Sequence, residues 1–376
     1  MDANVSLKVA ALPPHSAERL RLSRARKYSI LREAMPRALP TAHRALLTLF
    51  FFLLTAHCSL PTASASTWTR QRSGTMAWLH AAYFLDQNHG WVAGSGGTLL
   101  ETTDGGQTWT KVHPPTNDNL RDVYFANDHD GWLVCERDVF KLKTNDEPRS
   151  YLLKTNDGGL SWQRIVPDAF DASAKLLRAV FTGSERGWTF GEGGVALVTR
   201  DGGASWSRQT LPTKYLLLGG AFADEQHGWL VGAGATILQT TDGGKTWHNS
   251  IVRNGASARF AATSFVENRL GWAVGAAGRV FATTDGGHTW FEQRSSADAD
   301  LLDVRFIDAA EGWIAGAGGT LLHTTDGGAH WSTQPVGTTH ALERLFFTDR
   351  NHGWAVGFGG TILAFGQGGA PRLRSY

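Results

Sequence analysis

The dipeptide Gly-Trp occurs seven times in this chain, and a phenylalanine stands seven residues before each tryptophan. The pairs are Phe84/Trp91, Phe125/Trp132, Phe181/Trp188, Phe222/Trp229, Phe265/Trp272, Phe306/Trp313 and Phe347/Trp354. Successive tryptophans are 41, 56, 41, 43, 41 and 41 residues apart. A period near forty that continues to the end of the chain is typical of a repeat protein. The chain is therefore built from copies of one small unit.

Each of six repeats also contains a short turn motif, Ser/Thr-x-Asp-x-Gly-x-x-Trp, which we call the Asp box. Its aspartates are Asp104, Asp157, Asp201, Asp242, Asp285 and Asp326. Asp-Gly-Gly between two apolar runs is a hairpin signal, because Asp accepts backbone N–H bonds locally and Gly adopts positive φ. The flanking runs, rich in Thr, Leu, Val and Trp, favour strands. Four strands per unit, stacked radially, predict an all-β fold, a seven-bladed β-propeller of four-stranded antiparallel blades.

The last repeat is incomplete, since Gln367 stands where the Asp of the box is expected and no tryptophan follows it. The missing part is found near the other end of the propeller sequence. Trp68 lies 16 residues before Phe84, the same step that separates Trp109 from Phe125. We expect residues near 66–72 to form the outermost strand of the last blade by pairing with residues near 360–366. This closure by an N-terminal strand removes an open sheet edge.

The first 65 residues differ from the repeats and contain 9 basic and 3 acidic residues. An apolar run at 45–56 follows the basic residues, and Ala63-Ser64-Ala65 comes after it, a pattern that predicts an export signal. A cleaved signal, an uncleaved anchor and lipidation at Cys58 stay open, because the run is short for a membrane span. Translation from Met35 would give a leader of ordinary length. We expect a leader over 1–65, a propeller over 66–376, and a location in the periplasm or cell envelope.

The propeller itself contains 27 basic and 31 acidic residues, a mildly acidic balance that argues against nucleic-acid binding. Each Asp box offers one carboxylate where calcium needs six to eight oxygens, so we expect structural turns and no metal. No nucleophile signature is present. We expect a monomer without cofactor or catalytic activity that binds a protein, with membrane contact only through an uncleaved leader. A glycoside hydrolase or sialidase-like enzyme, whose carboxylates converge in space, and a glycan-binding module are the alternatives.

Two features depart from the repeat and are candidates for partner binding. Six repeats have a glycine three residues after the Gly-Trp tryptophan, but the second repeat has Cys135 there. A long insertion follows it and carries Glu136, Arg137, Lys141, Lys143 and Arg149. Three further residues are inserted around 167–170. If the Asp boxes lie on one face, both insertions emerge on the opposite face, where functional loops of a repeat scaffold gather. An extended hairpin without binding function is the alternative.

Four arginines fall in the first strands of their blades, which are expected to line the central channel. They are Arg121, Arg178, Arg305 and Arg344. They are candidates for a basic patch at the channel mouth that contacts a partner, but ordinary surface pairing is the favoured interpretation.

The Asp boxes resemble the bacterial neuraminidase repeat of sialidases and sortilin-type propellers. The longer unit G-W-x-x-G-x-x-G-x-[IL]-[IL]-x-T-x-D-G-G-x-[ST]-W, which Gly312 to Trp331 follow closely, resembles the photosystem II stability and assembly factor family. The resemblance covers residues 66–366. It implies a non-enzymatic propeller, on the lumenal side in a photosynthetic host, that assists the assembly of a membrane complex and binds its partner through an arginine-rich patch. The sialidase motif Arg-Ile-Pro does not precede the first Asp box.

Overall fold

The computed structural model describes residues 67–138, 140, 142, 144, 147–167, 174–255 and 258–366. Within these residues, 29 strands form seven sheets. Six sheets have four strands and one has five. The predicted leader, residues 1–65, lies outside the described residues.

Each sheet is one blade, and its strands follow in chain order from the innermost to the outermost. Blade 1 comprises β2 (Leu79–Phe84), β3 (Gly90–Gly94), β4 (Leu99–Thr102) and β5 (Thr110–Val112), and blade 2 comprises β6 (Asn119–Phe125), β7 (Gly131–Glu136), β8 (Ser150–Thr155) and β9 (Gln163–Ile165). Blade 3 comprises β10 (Leu176–Phe181), β11 (Gly187–Gly191), β12 (Ala196–Thr199) and β13 (Ser207–Arg208), and blade 4 comprises β14 (Leu217–Phe222), β15 (Gly228–Gly232), β16 (Ile237–Thr240) and β17 (His248–Asn249).

The remaining blades are built in the same way, with two local differences. Blade 5 comprises β19 (Phe260–Val266), β20 (Leu270–Gly275), β21 (Val280–Thr283), β22 (Thr289–Gln293) and a fifth, two-residue strand β18 (Ile251–Val252) that pairs in parallel with β22. Blade 6 comprises β23 (Leu301–Phe306), β24 (Gly312–Gly316), β25 (Leu321–Thr324) and β26 (Ser332–Thr333). Blade 7 comprises β27 (Leu342–Asp349), β28 (His352–Gly357), β29 (Thr361–Gly366) and β1 (Thr67–Gln71). Single-turn 3-10 helices occupy Glu192–Gly194, Ala276–Gly278, Ala317–Gly319 and Phe358–Gly360.

The blades form a closed ring. Each inner strand contacts the inner strand of the next blade, and β27 of blade 7 contacts β2 of blade 1. The outermost strand of blade 7 is β1, which pairs antiparallel with β29 from Thr67 opposite Gly366 to Gln71 opposite Ile362. The predicted propeller and its closure by an N-terminal strand are both confirmed. Among the described strands, blade 5 alone has more than the predicted four, because the two-residue strand β18 is added at its edge.

The repeated aromatic residues pack between blades. The Gly-Trp tryptophan of each blade stacks on the phenylalanine of the following blade, for example Trp229 on Phe265 at 3.4 Å between ring centroids. The equivalent pairs are Trp91/Phe125, Trp132/Phe181, Trp188/Phe222, Trp272/Phe306, Trp313/Phe347 and Trp354/Phe84. The Asp-box tryptophan from the phenylalanine's own blade meets the phenylalanine edge-on, as Trp290 meets Phe265 at 5.7 Å between ring centroids. Every recurring phenylalanine is therefore held between two tryptophans.

This arrangement explains the glycine of Gly-Trp. In the first hairpin of blade 4, Phe222 pairs directly with Gly228, and the ring of Phe222 lies across the glycine. A Cβ at Gly228 would collide with three atoms of that ring. The same collision is found at the glycine of every Gly-Trp. The seven-residue spacing is thus the register of one hairpin, and glycine leaves room for the ring to reach the neighbouring tryptophan.

The strand directions give the ring two distinct faces. The turns between first and second strands and the Asp boxes lie at one end, where Gly105 N donates to Asn88 O at 2.9 Å. We call this end the Asp-box face. The turns between second and third strands and the links between blades lie at the other end, where Ser95 N donates to Trp78 O at 2.8 Å. We call this end the loop face.

Candidate partner-binding face and central cavity

The carboxylates of the Asp boxes are fully engaged within their own turns. Thr102 Oγ1 donates to Asp104 Oδ1 at 2.8 Å, and the backbone N and Oγ1 of Thr108 donate to the two carboxylate oxygens at 2.9 and 2.6 Å. Gly106 N in turn donates to Thr102 Oγ1 at 2.7 Å. The other five boxes repeat this network, with His330 Nδ1 in the place of the hydroxyl at Asp326. These bonds hold the carboxylates ionised, and they lower the pKa of Asp201 to about 2, with the bond from the Ser205 hydroxyl the largest cause.

The Asp-box face as a whole is acidic. Besides the six boxes, its turns carry Asp86, Asp128, Asp130, Glu185, Asp224, Glu225, Glu267, Asp308, Glu311 and Asp349. The basic side chains of the same turns are Arg186, Arg200, Lys245, Arg269 and Arg350. Carboxylates therefore outnumber guanidinium and ammonium groups by a wide margin. An acidic partner would be repelled from this face.

The insertion of the second repeat emerges on the loop face, between β7 and β8, and its described charges form ion pairs. Glu136 bridges Arg121, at 3.3 Å from Nε, and Lys175, at 2.5 Å from Nζ. Arg137 contacts Glu147 at 2.7 Å. Arg149 reaches across to Glu192 of blade 3 at 3.0 Å. Lys141 and Lys143, and residues 168–170 of the second insertion, lie outside the described residues.

An apolar patch on the loop face lies where blade 7 meets blade 1. Met76, Trp78 and Phe358 are 81%, 42% and 49% exposed, and we call these three residues the seam patch. The rings of Trp78 and Phe358 meet edge-on at 5.5 Å between centroids. His340 packs against Phe358 and His80 against Trp78, each at 5.5 Å. Exposed aromatic side chains that form a cluster are typical of binding sites.

Sequence reasoning missed the seam patch, although a signal was present. Of the 15 tryptophans, thirteen belong to the seven Gly-Trp pairs and the six Asp boxes, and Trp68 takes the place of the missing Asp-box tryptophan of blade 7. Trp78 is the one that lies outside the repeat. Phe358 is likewise exceptional, because the equivalent turn residues of blades 1, 4 and 6 are Ser95, Ala233 and Ala317. A large apolar residue in an exposed turn has no packing reason to be there.

The four channel arginines do not converge on one mouth. Arg121 lies at the loop-face end, paired with Glu136. Arg178, Arg305 and Arg344 line a central cavity of about 490 Å³ together with Asp122 and Asp303. His80 lies near the loop-face end of the channel, and burial and the charges of Arg121, Arg178, Arg344 and Lys175 lower its pKa to about 3. His80 is therefore neutral near pH 7 and adds no charge to the seam patch.

The two cavity carboxylates are fixed by the neighbouring blades. Asp122 Oδ2 accepts a hydrogen bond from the backbone N of Ala179 at 3.0 Å, and Asp303 Oδ2 accepts one from that of Leu345 at 2.8 Å. Their other oxygens lie 3.7 and 3.8 Å from the guanidinium nitrogens of Arg344. Each aspartate thus joins two inner strands and balances part of the arginine charge.

The described residues contain neither a metal-binding cluster nor a membrane-spanning helix. No group of three or more His, Cys, Asp or Glu side chains in this part of the chain is placed to hold a metal ion. No helix in the described ranges is both long and apolar enough to cross a bilayer.

The chain matches one protein family in sequence, and its fold is similar to that of several solved β-propellers. The family model described as photosynthesis system II assembly factor YCF48 matches residues 60–147, 107–220, 208–296 and 250–340. YCF48 from Cyanidioschyzon merolae superposes with a TM-score of 0.65 at 22% identity, over 80% of this chain and 99% of its own. The structure of YCF48 bound to D1 peptide gives 0.66 at 23% identity, over 82% and 99%.

More distant propellers also superpose. A GH74 xyloglucanase from Xanthomonas campestris gives a TM-score of 0.62 at 14% identity, over 80% of this chain and 53% of that one. No curated protein matches the chain in sequence. At these identities, the likeness to the solved structures establishes the fold alone.

Proposed function

The chain belongs to the photosynthesis system II assembly factor family, and from this membership we propose that it is an exported, non-catalytic propeller that binds a protein during the assembly of a membrane complex. The observation that carries the proposal is the family match, whose four segments together run from residue 60 to residue 340. One structural neighbour from the same family was solved with a D1 peptide bound. The partner proposed for this chain is likewise a peptide segment of a membrane-complex subunit.

The loop face is the proposed docking surface. Interface hot spots are enriched in tryptophan and arginine and lie where large side chains can be covered completely. The seam patch supplies Trp78 and Phe358, and Arg121 and Lys175 lie near His80 beside it. The Asp-box face has arginines but no exposed aromatic cluster among the described residues, and carboxylates dominate its turns.

The absence of catalysis is part of the proposal. A glycoside hydrolase must present two carboxyl groups to the sugar, one on each side of the scissile bond. Asp122 and Asp303, which line the cavity, are already engaged by backbone N–H groups and flank Arg344. They serve the packing of the inner strands, so we favour partner binding over hydrolysis and over glycan binding.

Affinity capture from the native host, with matched variants, tests the proposal. The immobilised chain is compared with the double variant Trp78→Ser/Phe358→Ser, which removes the aromatic part of the seam patch. Phe291→Ser is the control, because Phe291 is 59% exposed on the fourth strand of blade 5, β22, outside the seam patch. A D1 peptide serves as a second, defined probe.

The proposal predicts a membrane-complex subunit that is enriched by the parent chain and by the control but not by the double variant. Loss of one hot-spot aromatic typically costs about 2 kcal/mol or more, so the D1 peptide should bind the double variant at least about 30-fold more weakly. Equal capture by all three proteins would exclude the loop face. Release of sugar from a glycan panel by the parent chain would refute the non-catalytic assignment.

A further inference from the structure

The central cavity has the construction of a small-molecule site, separate from the loop face. Ile307, Thr348 and Asp349, at the ends of inner strands, belong to its lining, so it extends towards the Asp-box face. Towards the loop face it ends at the level of Asp122, Arg178, Asp303 and Arg344. Its volume of about 490 Å³ falls in the range of ligand pockets, ~300–1,000 Å³.

The cavity contains guanidinium donors that make only long hydrogen bonds within the protein. Arg178 donates only to backbone carbonyls, at 3.4 Å to Leu218 and 3.3 Å to Arg121, and Arg305 donates to Leu345 O at 3.4 Å. Arg344 is 9% exposed, and its Nη2 has no hydrogen-bond partner among the described residues. Charge-assisted bonds of arginine are normally ~2.7–2.9 Å long. An oxyanion in the cavity would supply the short bonds that are missing.

The charges around these arginines are only partly compensated. Asp122 and Asp303 lie 3.7 and 3.8 Å from Arg344. Asp303 accepts a backbone N–H bond at one oxygen, and Asp122 accepts them at both, from Ala179 N at 3.0 Å and from Val123 N at 3.2 Å. The third carboxylate that lines the cavity, Asp349, is at the opposite end. It is hydrogen-bonded to His352 Nδ1 at 2.9 Å and to Gln87 Nε2 at 2.9 Å. At the inner end, the guanidinium groups of Arg178 and Arg344 therefore share the carboxylates of Asp122 and Asp303. Arg305, two residues beyond Asp303 on β23, adds a third positive charge nearer to the Asp-box face.

The side wall that blades 1, 2 and 7 contribute to the cavity is aromatic. Tyr83 contacts Tyr124 at 4.8 Å and Phe346 at 5.0 Å between ring centroids. All three rings contribute to the lining. A ligand that reaches the arginines with one end would lie against these rings with the other.

From this geometry we propose that the cavity binds a small organic carboxylate, whose anionic group contacts Arg305 and Arg344 and whose apolar body packs against Tyr83 and Phe346. Burial and the charge of Arg344 lower the pKa of Arg178 to about 9, so its guanidinium stays charged near neutral pH, and a bound anion would relieve the repulsion. The site goes beyond the proposed partner binding, which it does not require.

Calorimetric titration of the full chain at fixed ionic strength tests the site with three probes. Benzoate has both the carboxylate and the ring, benzamide has the ring without the charge, and inorganic phosphate has the charge without the ring. The variant Arg305→Gln carries the test, because Arg305 forms no ion pair within the described part of the chain and its loss should not disturb folding. Arg344→Gln would leave Asp122 and Asp303 uncompensated and serves only as a second variant.

The control is Arg208→Gln, which makes the same charge change on the exposed outermost strand β13. We expect saturable benzoate binding to the parent chain and to this control, with binding weakened about 10- to 100-fold in Arg305→Gln, the range of a charge-assisted hydrogen bond. Benzamide should bind much more weakly than benzoate. No benzoate binding at millimolar concentration, equal binding by Arg305→Gln, or phosphate binding as tight as that of benzoate would each overturn the proposal.

Discussion

Replacement of Phe84 by alanine tests whether the first and last blades pack as tightly as consecutive blades do. Phe84 is 3% exposed and lies between Trp354 of blade 7, stacked at 3.5 Å, and Trp109 of its own blade, edge-on at 6.1 Å. The internal comparator is Phe306, which stacks on Trp272 at 3.4 Å and meets Trp331 edge-on at 5.8 Å. The two phenylalanines thus have equivalent tryptophan neighbours, but only Phe84 lies between the first and the last blade.

The expected loss is large. Truncation of a buried phenylalanine to alanine costs about 3–5 kcal/mol through lost transfer free energy and the cavity left behind. An unfolding entropy of about 2.1 cal/mol/K per residue gives about 0.6 kcal/mol/K for the propeller over residues 67–366. The melting temperature of Phe84→Ala should therefore fall by about 5–8 °C, and that of Phe306→Ala by a similar amount.

Differential scanning calorimetry of the two variants, with the exposed Phe291→Ala as control, makes the comparison. The control should melt within about 1 °C of the parent chain, because exposed substitutions rarely exceed ~0.5 kcal/mol. A Phe84→Ala variant as stable as the control, beside a destabilised Phe306→Ala, would refute the packing of blade 7 against blade 1.

Three further predictions concern stability and reactivity. Gly228→Ala should lower the melting temperature by about 2–5 °C, since the added methyl group overpacks the ring of Phe222 at a cost of ~1–3 kcal/mol. The pKa of Asp201 is depressed to about 2 in the fold, so its contribution is present above the unfolded pKa near 4 and is lost as pH falls from about 4 to 2; thermal melts across that window should show a smaller loss for Asp201→Asn. Burial raises the pKa of the Cys135 thiol, so a thiol reagent at pH 8 should leave the Cys135 peptide unmodified by mass spectrometry until guanidinium unfolds the chain.

The fold could be predicted from sequence because its main contacts repeat. The seven-residue step from Phe222 to Trp229 fixes the register of one hairpin, and its recurrence gives the number of blades. The unpaired Trp68 identified the closing strand, because the Asp-box tryptophan of blade 7 was missing from its expected place. The added strand β18 escaped prediction, since two residues of parallel pairing leave no periodic signal.

The candidate site was less predictable, because its contacts occur once and join residues far apart in sequence. Arg121 was a candidate for a common patch with the other channel arginines, with ordinary pairing favoured, and it pairs with Glu136 from the next strand at the loop-face end. The sequence did not identify Glu136 as that partner. Arg344 is balanced by Asp122, from a blade more than 200 residues away in sequence. The spacing of the repeats cannot predict such a pairing. Trp78 could have been noticed as the tryptophan outside the repeat, but its position beside Phe358 required the closed ring.

The central claim is that a partner docks on the loop face, and hydrogen exchange of the propeller with and without its bound partner tests it most directly. The account predicts slower exchange upon binding at residues 75–80 and 355–360, around the seam patch, and at residues near 136–150. It predicts unchanged exchange in the Asp-box turns, for example at 102–109 and 240–247. Protection confined to the Asp-box turns, with exchange around Trp78 and Phe358 unaltered, would contradict the account.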